Sequence, residues 1–210
     1  MVSYTITVCD EYKELDRLLS FLHDQITNDD EIVVQMDTMA TTSAVRNVID
    51  TYRETIPNLN VIEFPLDKNF SQFKNNLKGH CTKPWIFNID ADEVPSVLLI
   101  QNLHNILEVN PDVEVISVPR WNTVEGITDE HIDNWRWRVD GDGRINWPDY
   151  QTRIYQNKKD IVWINKVHER LSGHSCGSHL PPEEEYCLYH PKTIQRQERQ
   201  NNFYSQIGNV

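Results

Sequence analysis

Apolar positions along the first 120 residues switch repeatedly between two spacings. Residues 3–8 alternate as a strand does, and a helical repeat follows through Leu15, Leu18, Leu19 and Leu22. Glu31-Ile32-Val33-Val34-Gln35-Met36 reads as a second strand ending at Asp37, and Val45, Val48, Ile49 and Tyr52 mark a helix over residues 42–55. Pro57-Asn58 breaks that helix ahead of a third strand at 60–64. Ser71 is the expected cap of the next helix, which runs through Phe73 and Leu77 and ends at Lys83-Pro84. A buried strand over 85–89, a helix over 97–107 and a fifth strand over 113–118 complete the series. Strands separated by helices of roughly ten to fifteen residues argue an α/β fold, a mostly parallel, doubly wound sheet flanked by helices.

After Pro119 the texture changes. Trp121, Trp135, Trp137 and Trp147 cluster with Arg120, Arg136 and Arg138, and such tryptophans are expected to build core. Short β-like runs stand at 153–155 and 161–164, and residues 193–206 are polar and helix-like. No linker or repeat separates the two textures. The reading is a single domain over 1–210, in which the half at 120–210 decorates the sheet built by the half at 1–119.

The formal net charge of −12 repels phosphate backbones and argues against nucleic acid as a partner. No apolar run approaches the roughly 20 residues of a membrane span. Met1 leads directly into a strand without a basic leader, and the four cysteines are too scattered for a disulfide framework, so a cytoplasmic location is expected. Neither a G-x-G-x-x-G after the first strand nor a P-loop occurs, which removes the usual dinucleotide and nucleoside-triphosphate signatures.

The chemistry concentrates in Asp90-Ala91-Asp92-Glu93, directly after the buried strand Trp85-Ile86-Phe87-Asn88-Ile89. Ligands of open α/β sheets sit beyond the carboxyl ends of the strands. Two carboxylates spaced D-x-D there suit a hard cation, Mn²⁺ or Mg²⁺, that bridges to a diphosphate. Two other patterns are weaker. Asp140-Gly141-Asp142-Gly143 resembles part of a calcium loop, but Arg138 stands at its first ligand position. His174, Cys176, His179, Cys187 and His190 match no standard zinc spacing.

Further segments fall in a recognisable order. They are Val8-Cys9-Asp10-Glu11, Asp37, Asn69-Phe70-Ser71-Gln72-Phe73-Lys74-Asn75, the D-A-D-E tetrapeptide, Trp147-Pro148-Asp149-Tyr150-Gln151-Thr152-Arg153-Ile154-Tyr155, Val167-His168-Glu169 and Leu188-Tyr189-His190. Together they resemble the family-2 glycosyltransferases of GT-A fold, and are most similar to the lipopolysaccharide-core glucosyltransferase branch. Two departures stand out. Asp37-Thr38-Met39-Ala40-Thr41-Thr42 replaces D-S-G-S-T-D, and Lys74 stands where Arg is usual.

The resemblance implies a metal-dependent, inverting transfer of a hexose from a nucleoside diphosphate sugar, a UDP-sugar above all, to a hydroxyl of a glycan or glycoconjugate acceptor. It implies nucleotide-sugar contacts from Cys9, Glu11, Asp37, Lys74, Asp90, Ala91 and Asp92. Asp37 would read the base, and Asp92, His168 and His190 are the metal-ligand candidates. Asp149 and Glu169 compete as the base that deprotonates the acceptor. The alternatives are a nucleotidyltransferase and a non-catalytic sugar- or partner-binding domain of the same fold.

Overall fold

A computed structural model describes residues 1–207 of the chain, with side chains through residue 202. Strands β1 (Val2–Val8), β2 (Glu31–Asp37), β3 (Leu59–Phe64) and β4 (Trp85–Asp90) lie side by side in the order β3-β2-β1-β4, all parallel. Helices α1 (Tyr12–Gln25), α2 (Ser43–Arg53) and α3 (Phe70–Lys78) connect them. β1 is almost wholly buried, as a central strand covered on both faces must be. α1 buries Leu15, Leu18, Leu19 and Leu22, the stripe that its helical spacing predicts.

The caps decide where the helices begin. Thr42 accepts the Val45 N–H at the start of α2. Asn69, not Ser71, caps α3: its Oδ1 accepts the Gln72 N–H at 3.1 Å, and the Ser71 hydroxyl instead donates to the same oxygen. Ser96 caps α4 (Val97–Val109) through the Leu99 N–H, after a two-residue strand β5 (Val94–Pro95).

Beyond β4 the sheet becomes mixed. The fifth long strand, β6 (Val115–Glu125), does not lie against β4. α5 (Asp129–Trp135) leads to β7 (Ile145–Gln156), which inserts between β4 and β6, antiparallel to both. The run at 153–155 is thus the end of a twelve-residue strand. β8 (Val162–Ile164) and β9 (Arg170–Ser172) form a separate hairpin with Gly173 at its open end, where a Cβ would stand 1.8 Å from the Asp160 carbonyl oxygen. β10 (Gly177–His179) and β11 (Leu188–Thr193) both pair parallel with β6, and α6 (Ile194–Ile207) ends the described chain. Among the described residues no helix is long and apolar enough to cross a membrane.

One core joins α1, α2 and α4 to the sheet, and a smaller one packs Ile86, Val115, Tyr155, Ile161, Trp163 and Leu171. The tryptophans of residues 120–150 are not core. All four are half-buried; Trp121 packs 5.7 Å from Trp147, with the Arg144 guanidinium over both rings. Arg144 also pairs with Asp140 and Asp142, so the calcium-like loop is closed by its own cation. The zinc-like residues do not converge, for Cys187 is buried and Cys176 exposed. No group of three or more His, Cys, Asp or Glu suited to a metal occurs among the described residues.

Candidate active site

The β4–β7 ladder runs from Trp85↔Gln156 to Phe87↔Ile154, and beyond it Arg153 reaches across to the acidic turn. Its Nη2 donates at 2.5 Å both to Asp90 Oδ2 and to Glu93 Oε1. Glu93 is fully buried, and its Oε2 accepts the Asp90 N–H at 3.2 Å. Lys74 Nζ, from α3, stands 3.7 Å from Asp90 Oδ1. Burial opposes ionisation of Asp90, but Arg153 and Lys74 outweigh it and hold the carboxyl well below the usual carboxylate range. Ala91 is buried in the turn, which leaves Asp90 and Asp92 as its two functional side chains.

Asp92 meets the far edge of the sheet. His190 Nε2, on β11, is 3.2 Å from Asp92 Oδ2, while Lys192 Nζ and Arg196 Nη2 are each 3.5 Å away. Burial raises the Asp92 carboxyl, yet His190, Lys192 and Arg196 bring it well below its ordinary value. Burial pushes His190 down, against the pull of Asp92. Its tautomer follows from its neighbours. Asp149 Oδ2 only accepts, so the Asn122 atom 2.9 Å from it is the amide nitrogen, and Asn122 Oδ1 accepts from His190 Nδ1 at 2.7 Å. In the neutral imidazole of that tautomer the Nε2 lone pair faces the Asp92 carboxylate oxygen. Such a pair of electron-rich atoms can share a cation. Ligands about 2.1 Å from an octahedral ion lie about 3.0 Å apart along one edge, and a metal-bound histidine anchors its other nitrogen in this manner. The donor pair fits a divalent cation whose remaining ligands come from outside the protein.

Asp149 lies opposite Arg120 in the β6–β7 register. Its Oδ2 accepts from Arg120 Nη2 (2.6 Å) and Nε (3.0 Å) and from Asn122, and its Oδ1 accepts from Gln151 at 2.9 Å. Burial raises this carboxyl, but Arg120, Asn122 and Gln151 lower it on balance, so it is ionised at neutral pH. Glu169 takes another position. It pairs with Lys74 at 2.6 Å and lines a cavity of about 210 Å³ with Lys74, Gln151, Arg153 and Trp163. The Lys74 ammonium also lies 4.7 Å from the Trp163 ring centre.

The other expected residues sit nearer the β1–β2 edge. Asp37 is only 7% exposed, and its Oδ1 accepts the N–H groups of Met39 (3.0 Å) and Leu66 (3.2 Å). Glu11 Oε2 accepts the Cys9 and Asp10 N–H groups, while Glu11 Oε1 meets Arg196 at 3.3 Å. Burial raises the Glu11 carboxyl above its usual value. Burial and the nearby carboxylates push the Cys9 thiol up to about 12, so it is a thiol rather than a thiolate. Of the two histidines, His190 is the one that meets Asp92. His168 is exposed in a left-handed conformation (φ 54°) between β8 and β9, and it forms no three-donor group with that pair.

Glu93, Arg120, Asn122, Arg153, Lys192 and Arg196 were not among the expected site residues. Glu93 and Arg153 do fall inside the family-like segments, and that was their only signal in the sequence. Arg196 pairs with Glu14 as well as with Glu11, so α6 is tied to α1 across Asp92.

An open α/β sheet with a D-x-D turn at the exit of its fourth strand matches the GT-A fold. The chain belongs to glycosyl transferase family 2, whose model matches residues 3–172. Among solved structures it is similar to the 1–349 fragment of S. aureus TarS in complex with UDP-GlcNAc, at 15% identity and a TM-score of 0.66, over 91% of this chain and 58% of that one. The same fragment in complex with UDP matches at 14% identity and 0.64, over 90% and 60%. The mannosyltransferase PcManGT from Pyrobaculum calidifontis, in complex with GDP-Man and Mn²⁺, matches at 19% identity and 0.50, over 58% and 41%. At these identities the likeness is one of fold, and the chain spans about 60% of the TarS fragment. No curated protein matches in sequence.

Proposed function

We propose that this chain transfers a hexose from a UDP-sugar to a hydroxyl of a glycan acceptor, with inversion at the anomeric carbon. The observation that carries the reading is the Asp92–His190 pair, a carboxylate oxygen and an imidazole nitrogen 3.2 Å apart at the D-x-D turn. The complexes of TarS with UDP-GlcNAc and of PcManGT with GDP-Man and Mn²⁺ support a nucleotide-sugar donor.

A divalent cation held by Asp92 and His190 would supply Lewis-acid neutralisation of the leaving diphosphate. Lys192 and Arg196, each 3.5 Å from Asp92, add fixed positive charge at the same edge. Asp90, locked by Arg153 and Lys74, would accept from the donor's ribose hydroxyls. Asp37, fixed by two main-chain N–H groups, would accept from a base N–H. Asp149, ionised and oriented by Arg120 and Asn122, takes the proton of the acceptor hydroxyl as that oxygen attacks the anomeric carbon from the side opposite the diphosphate. Glu169 is the rival for this step, since it lines the cavity.

The test is a thermal-shift and calorimetry panel of nucleotide sugars with Mn²⁺ and with EDTA. UDP-sugars should raise the melting temperature more with Mn²⁺. Equal shifts and affinities with and without metal would reject the metal-assisted reading. No shift with any nucleotide would reject donor binding altogether.

A further inference from the structure

Six ion pairs run end to end through the site and join the two carboxylates that compete for the role of base. From Asp149 the path passes to Arg120 (2.6 Å), Glu93 (3.1 Å), Arg153 (2.5 Å), Asp90 (2.5 Å), Lys74 (3.7 Å) and Glu169 (2.6 Å). Charge alternates at every step. Glu93 is the one member of the path with no exposed side-chain surface, and it is the acid shared by both arginines. Its Oε1 receives the two guanidinium groups, and its Oε2 receives the Asp90 N–H. Its own N–H donates to the Asp90 carbonyl at 2.9 Å. Its carboxylate therefore cannot shift without the acidic turn moving with it.

We infer that Glu93 is a positioning residue that sets the donor-side Asp90 through Arg153 and the acceptor-side Asp149 through Arg120. This rests on the glycosyltransfer reading above. The physical reason is charge. Without the Glu93 anion, two guanidinium groups that share one oxygen would repel each other in a poorly solvated site. Each would then fall back on its remaining acid, Arg120 on Asp149 and Arg153 on Asp90. Asp149 would become a weaker base in a shifted position, and Asp90 would be drawn away from the donor. A residue that served stability alone would change neither.

The test uses Glu93→Gln, which keeps the shape and removes the charge, with Glu93→Asp as the charge-conserving variant. Turnover should fall about 10- to 100-fold in Glu93→Gln, the scale of a small misplacement of reacting groups. UDP affinity should weaken by about tenfold, within the usual range of coupling between sites. The Asp149 carboxyl, followed by ¹³C NMR against its facing groups Arg120, Asn122 and Gln151, should titrate lower than in the wild type. Glu93→Asp should recover part of all three. A folded Glu93→Gln protein with wild-type turnover, UDP affinity and Asp149 titration overturns the inference. If Glu93→Gln does not fold, Arg120→Gln decides, since it cuts only the acceptor branch. Lower turnover at unchanged UDP affinity supports the inference, and unchanged turnover overturns it. A wild-type chain that binds no nucleotide sinks the glycosyltransfer reading instead, and the Asp149 titration still tests the coupling.

Discussion

In the first half of the chain the important acids are held by the main chain. In the second half and at the D-x-D turn they are held by other side chains. Asp37 is fixed by the N–H groups of Met39 and Leu66, and Glu11 Oε2 by those of Cys9 and Asp10, with Arg196 on its other oxygen. Asp90, Glu93, Asp149 and Glu169 depend instead on Arg153, Arg120 and Lys74, which come from distant strands and helices. The two modes differ in how damage spreads. A main-chain N–H goes where the strand and turn put it, so losing one such acid is a local event. A side-chain network keeps its geometry only while every member is present, and removing one leaves an uncompensated charge for the others.

The largest expected effect lies in the side-chain network. Asp149→Asn should keep UDP affinity and lose transfer by about 10²–10⁴-fold, the usual cost of a missing general base. Glu169→Gln, assayed alongside it, settles the rivalry. Near-normal turnover in Asp149→Asn beside an inactive Glu169→Gln would give the role to Glu169. Next in size is Asp92→Asn, which should abolish the gain in UDP affinity that Mn²⁺ supplies, a loss of about 10- to 100-fold or more. Calorimetry with Mn²⁺ and with EDTA reads it directly. A variant that still gains as much from Mn²⁺ as the wild type would remove Asp92 from the metal site.

The same contrast explains what the sequence could reveal. β1 to β4 and their helices were legible because each element carries its own period and buries its own stripe, as Leu15, Leu18, Leu19 and Leu22 do in α1. The position of the D-x-D turn was legible for the same reason, since it follows a buried strand. The antiparallel insertion of β7 between β4 and β6 was not, because no local pattern states which strand a strand will pair with. The tryptophans misled for a related cause: Trp121 and Trp147 look like core in composition, yet they clamp Arg144 at the surface. Arg120 and Arg153 could not be assigned to Glu93 from sequence, because the β6–β7 register that sets them beside it is a tertiary fact.

Asp37 tests the first-half rule, and its expected effect is smaller. The sequence points to Asp37 as the residue that reads the base, and in the structure its buried carboxylate also satisfies two main-chain donors. Asp37→Ala should therefore weaken UDP binding and also destabilise the chain by about 1–3 kcal/mol, the cost of stranding buried donors. Unfolding monitored by denaturant gives the second number. An unchanged midpoint would show that solvent reaches those N–H groups.

The smallest effect is expected at Glu114, an acid of the 1–119 half that is held by main-chain and side-chain donors together. Its Oε2 accepts the Ser175 N–H at 2.5 Å, the Ser175 hydroxyl at 2.8 Å and the Cys176 N–H at 3.3 Å, while Oε1 pairs with Lys158 at 2.7 Å. Lys158 first, then the Ser175 and Cys176 donors, bring its carboxyl from an ordinary 4.5 to about 2. A carboxyl lowered on folding stabilises most above its unfolded value, and that contribution is lost as the pH falls toward its folded one. Amide protection over residues 174–177, corrected for intrinsic exchange, should thus be full near neutral pH and decline as the pH drops from 4.5 to about 2. Glu114→Gln should show the weaker protection at neutral pH and little change across that window. Because the clamp is local, transfer activity at neutral pH should stay near normal, unlike the result of cutting the Asp149–Glu169 chain. Equal protection of the two proteins at neutral pH would mean that the 174–177 segment is held by its pairing with β6 alone.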